Sequence, residues 1–272
     1  MEVRMIGKQN GDKTKIMVKD VELGGQELVL IAGPCAIESE KQILDTAVAM
    51  KKAGAKILRG GAFKPRTSPY SFQGLGEEGL QYIYKAGQIT DMPVISEVMD
   101  TRDVETVYKY VDILQIGSRN MQNYSLLKEV GKTDKPVMLK RGMAASIEDW
   151  LLAAEYIAYE GNRNIILCER GIRTFETYTR NTLDLMAVPI VKQHTHLPVF
   201  VDPSHGTGRR ELIESAAIAA VAVGANGLMI EVHPCPCDAL SDGIQSINFN
   251  DFEKLSKKLL MLQTCLDTIK EI

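Results

Sequence analysis

Eight short apolar runs recur along the 272-residue chain and constrain its fold more than any other feature. Each is rich in Val, Ile and Leu, and their starts lie about 28 residues apart on average. A continuous apolar run, rather than an alternating one, is typical of a parallel strand that is buried on both faces. The runs are LVLIAG from Leu28, KILRGG from Lys56, PVISEV from Pro93, DILQIG from Asp112, PVMLK from Pro136, NIILCE from Asn164, LPVFVD from Leu197 and GLMIEV from Gly227.

The intervals between the runs predict helices, two of which have recognisable ends. Ser39 can cap the segment EKQILDTAVAMKKA, and Gly54 can end it in left-handed backbone. Ser146, with Asp149 in the first turn, predicts the start of IEDWLLAAEYIAYE, which Gly161 follows. Eight strand–helix units with right-handed crossovers close most simply into a (β/α)8 TIM barrel. An open doubly wound sheet is the alternative, but no GxGxxG motif follows a strand to support it.

The chain is expected to form one domain. A TIM barrel takes roughly 250 residues, so residues 1–272 fit a single barrel without a separate regulatory domain. Residues 1–27 precede the first run and form an N-terminal extension. Within it, IMVKDVELGG predicts a small hairpin that closes the bottom of the barrel.

Composition excludes several classes of protein. A net charge of −3 argues against a general nucleic-acid binder, whose surface must neutralise phosphates. The N-terminus has no signal-peptide pattern, and no apolar run reaches the roughly 18 residues of a membrane helix. The five cysteines, an odd number, are interpreted as reduced thiols. We therefore expect a cytoplasmic protein with neither nucleic-acid nor membrane partners.

Polar residues that follow the runs are the candidates for an active site, because TIM-barrel sites lie at the C-terminal ends of the strands. Six of them are cations, which would repel one another in one pocket unless anions bind there. Arginine matches phosphate and carboxylate in a bidentate fashion, so the site should bind about two phosphates and a carboxylate. For any single arginine, a salt bridge at the rim is the alternative. The cations are Arg59, Lys64, Arg66, Arg119, Lys140 and Arg170.

A second set of strand-end residues has the chemistry of metal ligands. Cys35 follows the first run, His205 the seventh and Glu231 the eighth, and Asp242 lies in the loop after Glu231. Thiolate, imidazole and two carboxylates suit a divalent ion such as Mn, Fe, Co or Zn. A closed barrel would place the eighth strand beside the first, although each residue alone could have an ordinary structural role. Glu97, after the third run, adds a carboxylate to the same face.

The remaining thiols and one further histidine leave alternatives open. Cys168, in the middle of a run, is predicted to be a core residue. Cys235 and Cys237 could be loop thiols, a redox pair or a second metal site, and His233 could point into the pocket or lie behind it.

The motifs around these residues resemble those of the 3-deoxy-D-arabino-heptulosonate 7-phosphate (DAHP) synthases, in the short type Iβ form related to 3-deoxy-octulosonate 8-phosphate synthases. The resemblance implies a (β/α)8 barrel. It extends over nearly the whole chain from about residue 28 to 250. The motifs are IAGPCAIES (31–39), GGAFKPRTSPYSFQG (60–74), GSRNMQN (117–123), LKRG (139–142), DPSHGTGRR (202–210) and IEVHPCPCDALSDG (230–243).

The resemblance also implies a reaction: condensation of phosphoenolpyruvate with erythrose 4-phosphate and water, giving DAHP and phosphate. KPRTS favours erythrose 4-phosphate, since octulosonate synthases typically carry a KANRS-like segment there. Cys35 implies a metal-dependent enzyme, because metal-free relatives have Asn at that place. The family is usually oligomeric, so a homotetramer or homodimer is expected.

Roles for individual residues follow from the same resemblance. In that reaction, Lys64 is the candidate to protonate the alkoxide that forms from the aldehyde of erythrose 4-phosphate. Glu97 or His205 would help to orient the water molecule that is consumed. The implied metal ligands are Cys35, His205, Glu231 and Asp242. The implied phosphoenolpyruvate contacts are Arg59, Arg119, Lys140 and Arg170, and the implied erythrose 4-phosphate contacts are Lys64, Arg66 and Thr67.

Three alternatives remain at this point. The first is an octulosonate 8-phosphate synthase that uses arabinose 5-phosphate. The second is a Schiff-base aldolase with Lys140 as its nucleophile, which would require a lowered lysine pKa. The third is a non-catalytic module that binds phosphosugars on a barrel.

Overall fold

Eight parallel strands close into a barrel in the computed structural model, which describes residues 3–8, 13–66 and 68–270. The last strand pairs with the first, Glu231 opposite Gly33, and this pairing excludes the open sheet. The (β/α)8 prediction is confirmed, with each strand inside or next to one of the eight apolar runs. The strands are β3 (Val29–Gly33), β4 (Ile57–Arg59), β5 (Val94–Val98), β6 (Ile113–Ile116), β7 (Val137–Lys140), β8 (Ile165–Glu169), β9 (Val199–Val201) and β10 (Gly227–Glu231).

Side chains alternate between the interior of the barrel and the surrounding helices. Along β3, Val29 and Ile31 belong to the interior cluster, whereas Leu30 and Ala32 pack outward with the helices. Both faces are apolar, as expected for a parallel barrel with helices around it. The interior is filled by one large residue or more from each strand: Ile31, Ile57, Ile95, Ile113, Met138, Ile166, Phe200 and Met229.

The predicted N-terminal hairpin is present and closes the bottom of the barrel. Its antiparallel strands are β1 (Ile16–Val18) and β2 (Val21–Leu23). Ile16 and Leu23 are 2% and 0% exposed, and they join the same apolar cluster as the barrel interior. The hairpin therefore acts as a hydrophobic plug.

Helices surround the barrel, and the predicted helix ends are confirmed. The Ser39 side chain accepts a hydrogen bond from the Gln42 backbone, and Ser146 and Asp149 form a reciprocal capping box. None of the helices in the described ranges has the length and apolarity to cross a membrane. The helices are α1 (Glu40–Lys52), α2 (Glu77–Thr90), α3 (Val104–Tyr110), α4 (Tyr124–Gly131), α5 (Ile147–Tyr159), α6 (Ala187–His194), α7 (Pro203–Thr207), α8 (Ile213–Ala222) and α9 (Phe249–Lys270).

Candidate active site

A polar cavity of about 700 Å³ opens at the C-terminal ends of the barrel strands. All six cations predicted from the sequence line it, together with Glu97, His205 and Asp242. Because these cations come from the ends of four different strands, β4, β6, β7 and β8, only closure of the barrel brings them together.

The four predicted metal ligands meet at one side of this cavity. The Cys35 Sγ lies 3.2 Å from Asp242 Oδ2, and the ligand atoms of Cys35, Glu231 and Asp242 are all within 4.8 Å of one another. His205 Nε2 lies 3.5 Å from Glu231 Oε1 and 3.9 Å from Asp242 Oδ2. The thiol and the two carboxylates thus form one compact group, and His205 lies within 4 Å of both carboxylates, a set of donors that suits a divalent ion of the borderline class.

Asp202 orients His205 toward the other ligands. Its carboxylate lies 2.7 Å from His205 Nδ1 and accepts a second hydrogen bond, 2.9 Å long, from the His205 backbone. Nδ1 is thereby engaged, and Nε2 faces the Glu231 carboxylate. A metal-binding histidine is commonly held in this way by a carboxylate on its other nitrogen.

Burial and neighbouring charges set the pKa values of the ligand cluster in the absence of a metal ion. Burial, and then the charge of Glu231, raise the pKa of the Cys35 thiol to about 12. Burial also favours the neutral form of Glu231, but His205, Arg59 and Lys64 outweigh it and lower the Glu231 pKa to about 2. A bound metal ion would favour the thiolate form of the cysteine.

Arg59 and Lys140, at the ends of their strands, are buried beside acidic groups. Arg59 Nη1 donates to Glu231 Oε1 over 2.6 Å, and Lys140 Nζ donates to Asp202 Oδ2 over 2.5 Å. The Nε of Arg59 has no hydrogen-bond partner among the described residues. An unpaired buried donor is costly, so this N–H is available for an anionic ligand.

Lys64 and Arg66 connect the metal ligands to the mouth of the cavity. Lys64 Nζ lies 2.9 Å from Cys35 Sγ, and Arg66 Nη1 donates to Ser241 Oγ over 2.7 Å. Ser241 Oγ is itself 3.2 Å from Cys35 Sγ. Thr67, the third residue predicted in this segment, lies outside the described residues.

Glu97 and Arg119 occupy the opposite side of the cavity. Gln115 Nε2 donates to Glu97 Oε2 over 3.4 Å. A Cβ at Gly117 would lie only 2.0 Å from Glu97 Oε1, so any side chain at this position would displace the carboxylate. Gly117 precedes the single 3-10 turn Ser118–Asn120, which carries Arg119.

The sequence patterns did not predict four side chains of the site: Asp202, Arg180, Ser241 and Gln245. Asp202 had a usable signal, since an Asp between a strand and a Pro predicts a helix N-cap. Arg180 and Gln245 lie in segments without periodicity, so nothing in the sequence placed them at the mouth.

The other thiols and His233 lie away from the cavity. Cys168 is a buried core residue as predicted, whereas Cys235 and Cys237 are exposed. His233 is buried, with Nε2 lying 3.3 Å from Glu38 and Nδ1 lying 2.7 Å from the Cys235 carbonyl.

Similarity to known proteins agrees with this geometry. The profile of the DAHP synthetase I family matches residues 9–268. The chain is 52% identical over 255 residues to the phospho-2-dehydro-3-deoxyheptonate aldolase of Thermotoga maritima, covering 94% of this chain and 75% of that protein. It is 34% identical over 264 residues to the 2-dehydro-3-deoxyphosphooctonate aldolase of Geobacter sulfurreducens, covering 90% of this chain and 96% of that protein.

Two solved structures have the same fold. The DAHP synthase of Thermotoga maritima superposes with a TM-score of 0.94 at 50% identity, over 97% of this chain and 77% of that one. A truncated form of the 3-deoxy-D-arabino-heptulosonate 7-phosphate synthase from the same organism superposes with a TM-score of 0.91 at 48% identity, over 96% of both chains. The chain therefore belongs to the DAHP synthetase I family.

Proposed function

We propose that this chain condenses phosphoenolpyruvate with erythrose 4-phosphate and water to give DAHP and inorganic phosphate. The observation that carries the proposal is that six cations line one cavity, beside the group formed by Cys35, Glu231 and Asp242 with His205 next to it. Two phosphorylated substrates, one with a carboxylate, would neutralise those cations. The 52% identity to the Thermotoga enzyme supports this choice of substrates.

Arg59, Lys140, Arg119 and Arg170 are proposed to hold phosphoenolpyruvate. Its C3 atom is a latent nucleophile, and fixing its phosphate and carboxylate would aim C3 at the aldehyde carbon. Positioning of this kind lowers the activation free energy by up to about 7–11 kcal/mol in ideal cases. The unpaired Nε of Arg59 is one donor that such a ligand would satisfy.

Cys35, His205, Glu231 and Asp242 are proposed to hold a divalent ion of the Mn, Fe, Co or Zn class. When bound, such an ion supplies Lewis acidity to an aldehyde oxygen. Lys64 and Arg66 are proposed to bind erythrose 4-phosphate on the same side of the cavity, and Thr67 is proposed as a third contact of this sugar phosphate. The 3.2 Å contact between Ser241 and Cys35, with Arg66 bound to Ser241, supports this adjacency.

Lys64 is proposed to protonate the alkoxide that forms when C3 attacks the aldehyde. Burial lowers the Lys64 pKa, but the neighbouring Cys35 and Glu231 outweigh it and the net shift is upward. The side chain is therefore a charged donor, 2.9 Å from the thiol. A water oriented by Glu97 or His205 would then add at C2, and C–O cleavage would release phosphate.

A Schiff-base aldolase is disfavoured by the surroundings of Lys140. That reaction needs a neutral amine, whereas Lys140 Nζ lies 2.5 Å from the fully buried carboxylate of Asp202. Borohydride treatment in the presence of substrate should therefore leave no covalent adduct.

The decisive experiment is a phosphate-release assay with phosphoenolpyruvate and either erythrose 4-phosphate or arabinose 5-phosphate. We expect release with the four-carbon sugar, loss of release after chelation, and recovery on addition of a divalent ion. Faster turnover of arabinose 5-phosphate would assign the chain to the octulosonate branch of its relatives. No release with either sugar would leave only the binding-module alternative.

We further propose that residues 1–272 form one catalytic domain that assembles into a cytoplasmic homotetramer or homodimer. Packing of both the N-terminal hairpin and α9 on the barrel supports a single domain, since Leu23, Phe252 and Leu259 are fully buried. The cysteines are all unpaired, which suits a reducing compartment. Light scattering coupled to size exclusion would measure the oligomeric state.

A further inference from the structure

Arg180 is a seventh cation at the cavity, on a loop that no motif singled out. The loop joins β8 to α6, and Arg180 lines the cavity with Arg170, His205 and Asp242. Its backbone is fixed, because Arg180 N donates to the Thr207 carbonyl over 3.0 Å. A Cβ at Gly208 would lie 2.3 Å from Arg180 Cβ, so the two segments approach as closely as a glycine allows.

The hydrogen-bond partners of Arg180, one carboxylate and one amide, also contact other groups of the site. Its Nη1 lies 2.7 Å from Gln245 Oε1 and 3.4 Å from Asp242 Oδ1. Asp242 belongs to the ligand cluster, and Gln245 donates to Glu231 over 2.6 Å. Binding of a metal ion by Asp242 would therefore leave the Arg180 guanidinium with a neutral amide as its main partner.

Arg170 and Arg180 bring two positive charges to the same part of the cavity. Burial lowers the pKa of Arg170, and the positive charge of Arg180 lowers it further. The only hydrogen bond that the described residues provide to the Arg170 side chain is a 3.3 Å contact from Nη1 to the Gly171 carbonyl. Seven cations and two carboxylates are found among the described residues that line the cavity. Arg59 and Lys140 are already paired with the buried carboxylates of Glu231 and Asp202, so three positive charges remain in excess, and this excess is unfavourable until an anion binds.

We propose that Arg180 is a further substrate-binding residue, which takes a phosphate monoester between its own guanidinium and that of Arg170. This inference rests on the proposed function for its choice of ligands, because phosphoenolpyruvate and the aldose phosphate both carry such a group. Two guanidinium groups on one phosphate give the bidentate, charge-assisted pairing that arginine provides best.

The test compares Arg180→Ala with Arg173→Ala, a matched control from the same loop. Arg173 is exposed and does not line the cavity, so both variants lose one positive charge but only one changes the site. We expect Arg180→Ala to raise the KM of one phosphorylated substrate by about 10- to 100-fold. This change corresponds to the loss of one charged hydrogen bond to the substrate. The kcat of Arg180→Ala and both constants of Arg173→Ala should stay within about threefold.

Two further measurements identify the source of the phosphate. Calorimetric titration with phosphoenolpyruvate alone, without sugar, should weaken in Arg180→Ala if its phosphate is the ligand. If that titration is unchanged while the KM of erythrose 4-phosphate rises, the sugar phosphate is the ligand. Arg180→Gln, which removes the charge but keeps the first part of the aliphatic stem and a polar end, should behave like the alanine variant and guards against a folding defect.

A purely structural role predicts a different pattern. In that case Arg180→Ala would weaken the binding of Mn²⁺ and lower kcat, through Gln245 and Asp242, while both KM values stayed unchanged. That result, or equal constants for the two variants, would overturn the proposal. If the wild-type chain released no phosphate, the proposed function would fail, yet titrations with phosphoenolpyruvate and inorganic phosphate would still decide the role of Arg180.

Discussion

The two ends of the barrel are built from the same eight strands but filled by opposite chemistry. At the bottom, Ile16 and Leu23 of the hairpin pack on the apolar interior layer that includes Phe200. At the mouth, the strand ends place fully buried charges, including Glu169 and Glu231 at 0% exposure. The comparison indicates that stability is concentrated at the closed end and chemistry at the charged end.

Typical energies support this division. Full burial of a large apolar side chain stabilises a protein by about 1.5–3 kcal/mol. A buried ion pair is close to neutral or unfavourable, because desolvation offsets the attraction between its charges. Pairs such as Arg59 with Glu231 therefore keep a functional arrangement and contribute little net stability.

The largest effect should come from removing the thiol at the mouth. Cys35→Ala deletes one of the four proposed metal ligands, and we expect a fall in turnover of at least about 1,000-fold, equivalent to about 4 kcal/mol. Phosphate release measures turnover, and the metal content after dialysis measures binding. Cys168→Ala, which removes the buried thiol in mid-strand, should destabilise the fold but keep turnover within about threefold. Equal loss of activity in both variants would mean that the thiol at the mouth has no special role.

At the closed end, Leu23→Ala should affect stability and leave the chemistry alone. Leu23 is fully buried against the barrel interior, and Leu-to-Ala changes in cores cost about 2–5 kcal/mol. Urea unfolding measures the loss, and the KM values of both substrates should not change. Glu22→Ala, on the adjacent half-buried position, should cost less than about 1 kcal/mol. If the hairpin did not stabilise the barrel, both variants would show the same small loss in the free energy of unfolding.

The closed end and the strands were predictable from the sequence because hydrophobic periodicity encodes them. LVLIAG became β3 and GLMIEV became β10, each within a residue of the predicted start. The strand-end rule also predicted that Glu97 and Lys140 would share one end of the barrel, where both line the cavity, and that Cys35 would lie near Asp242, whose carboxylate is 3.2 Å from its thiol.

The rest of the site depends on loops, whose paths no local pattern determines. Arg180 reaches the cavity only because its loop packs on the glycine at 208. Gln245 follows Asp242, whose backbone is left-handed with φ of 54°. Neither position belongs to a strand or a helix with apolar periodicity, so sequence reasoning had no basis for assigning them.

Acid should destabilise the metal-free protein through groups at the mouth. Burial keeps His205 neutral by lowering its pKa below 6.5, and the Glu231 pKa falls from 4.5 to about 2. As the pH falls, the unfolded chain takes up a proton at each of these residues before the folded chain does. The free energy of unfolding is therefore highest above pH 6.5 and declines as the pH falls to about 2.

Urea unfolding at a series of pH values measures this decline. Glu231→Gln should flatten the curve between pH 4.5 and 2, where the wild-type carboxyl takes up its proton. Parallel curves for the two proteins in this window would assign the acid sensitivity to other groups.

The smallest effect tests whether the two ends act independently. Inorganic phosphate should bind the converging cations and raise the free energy of unfolding by about 1.4 kcal/mol at ten times its dissociation constant. Chloride at equal ionic strength should not, because only the phosphate matches paired guanidinium groups. The same increment is expected in Leu23→Ala, since sites that share no partners are additive within about 0.5 kcal/mol. A smaller increment in that variant would show that the plug also orders the mouth, and the division between a stabilising end and a chemical end would then be wrong.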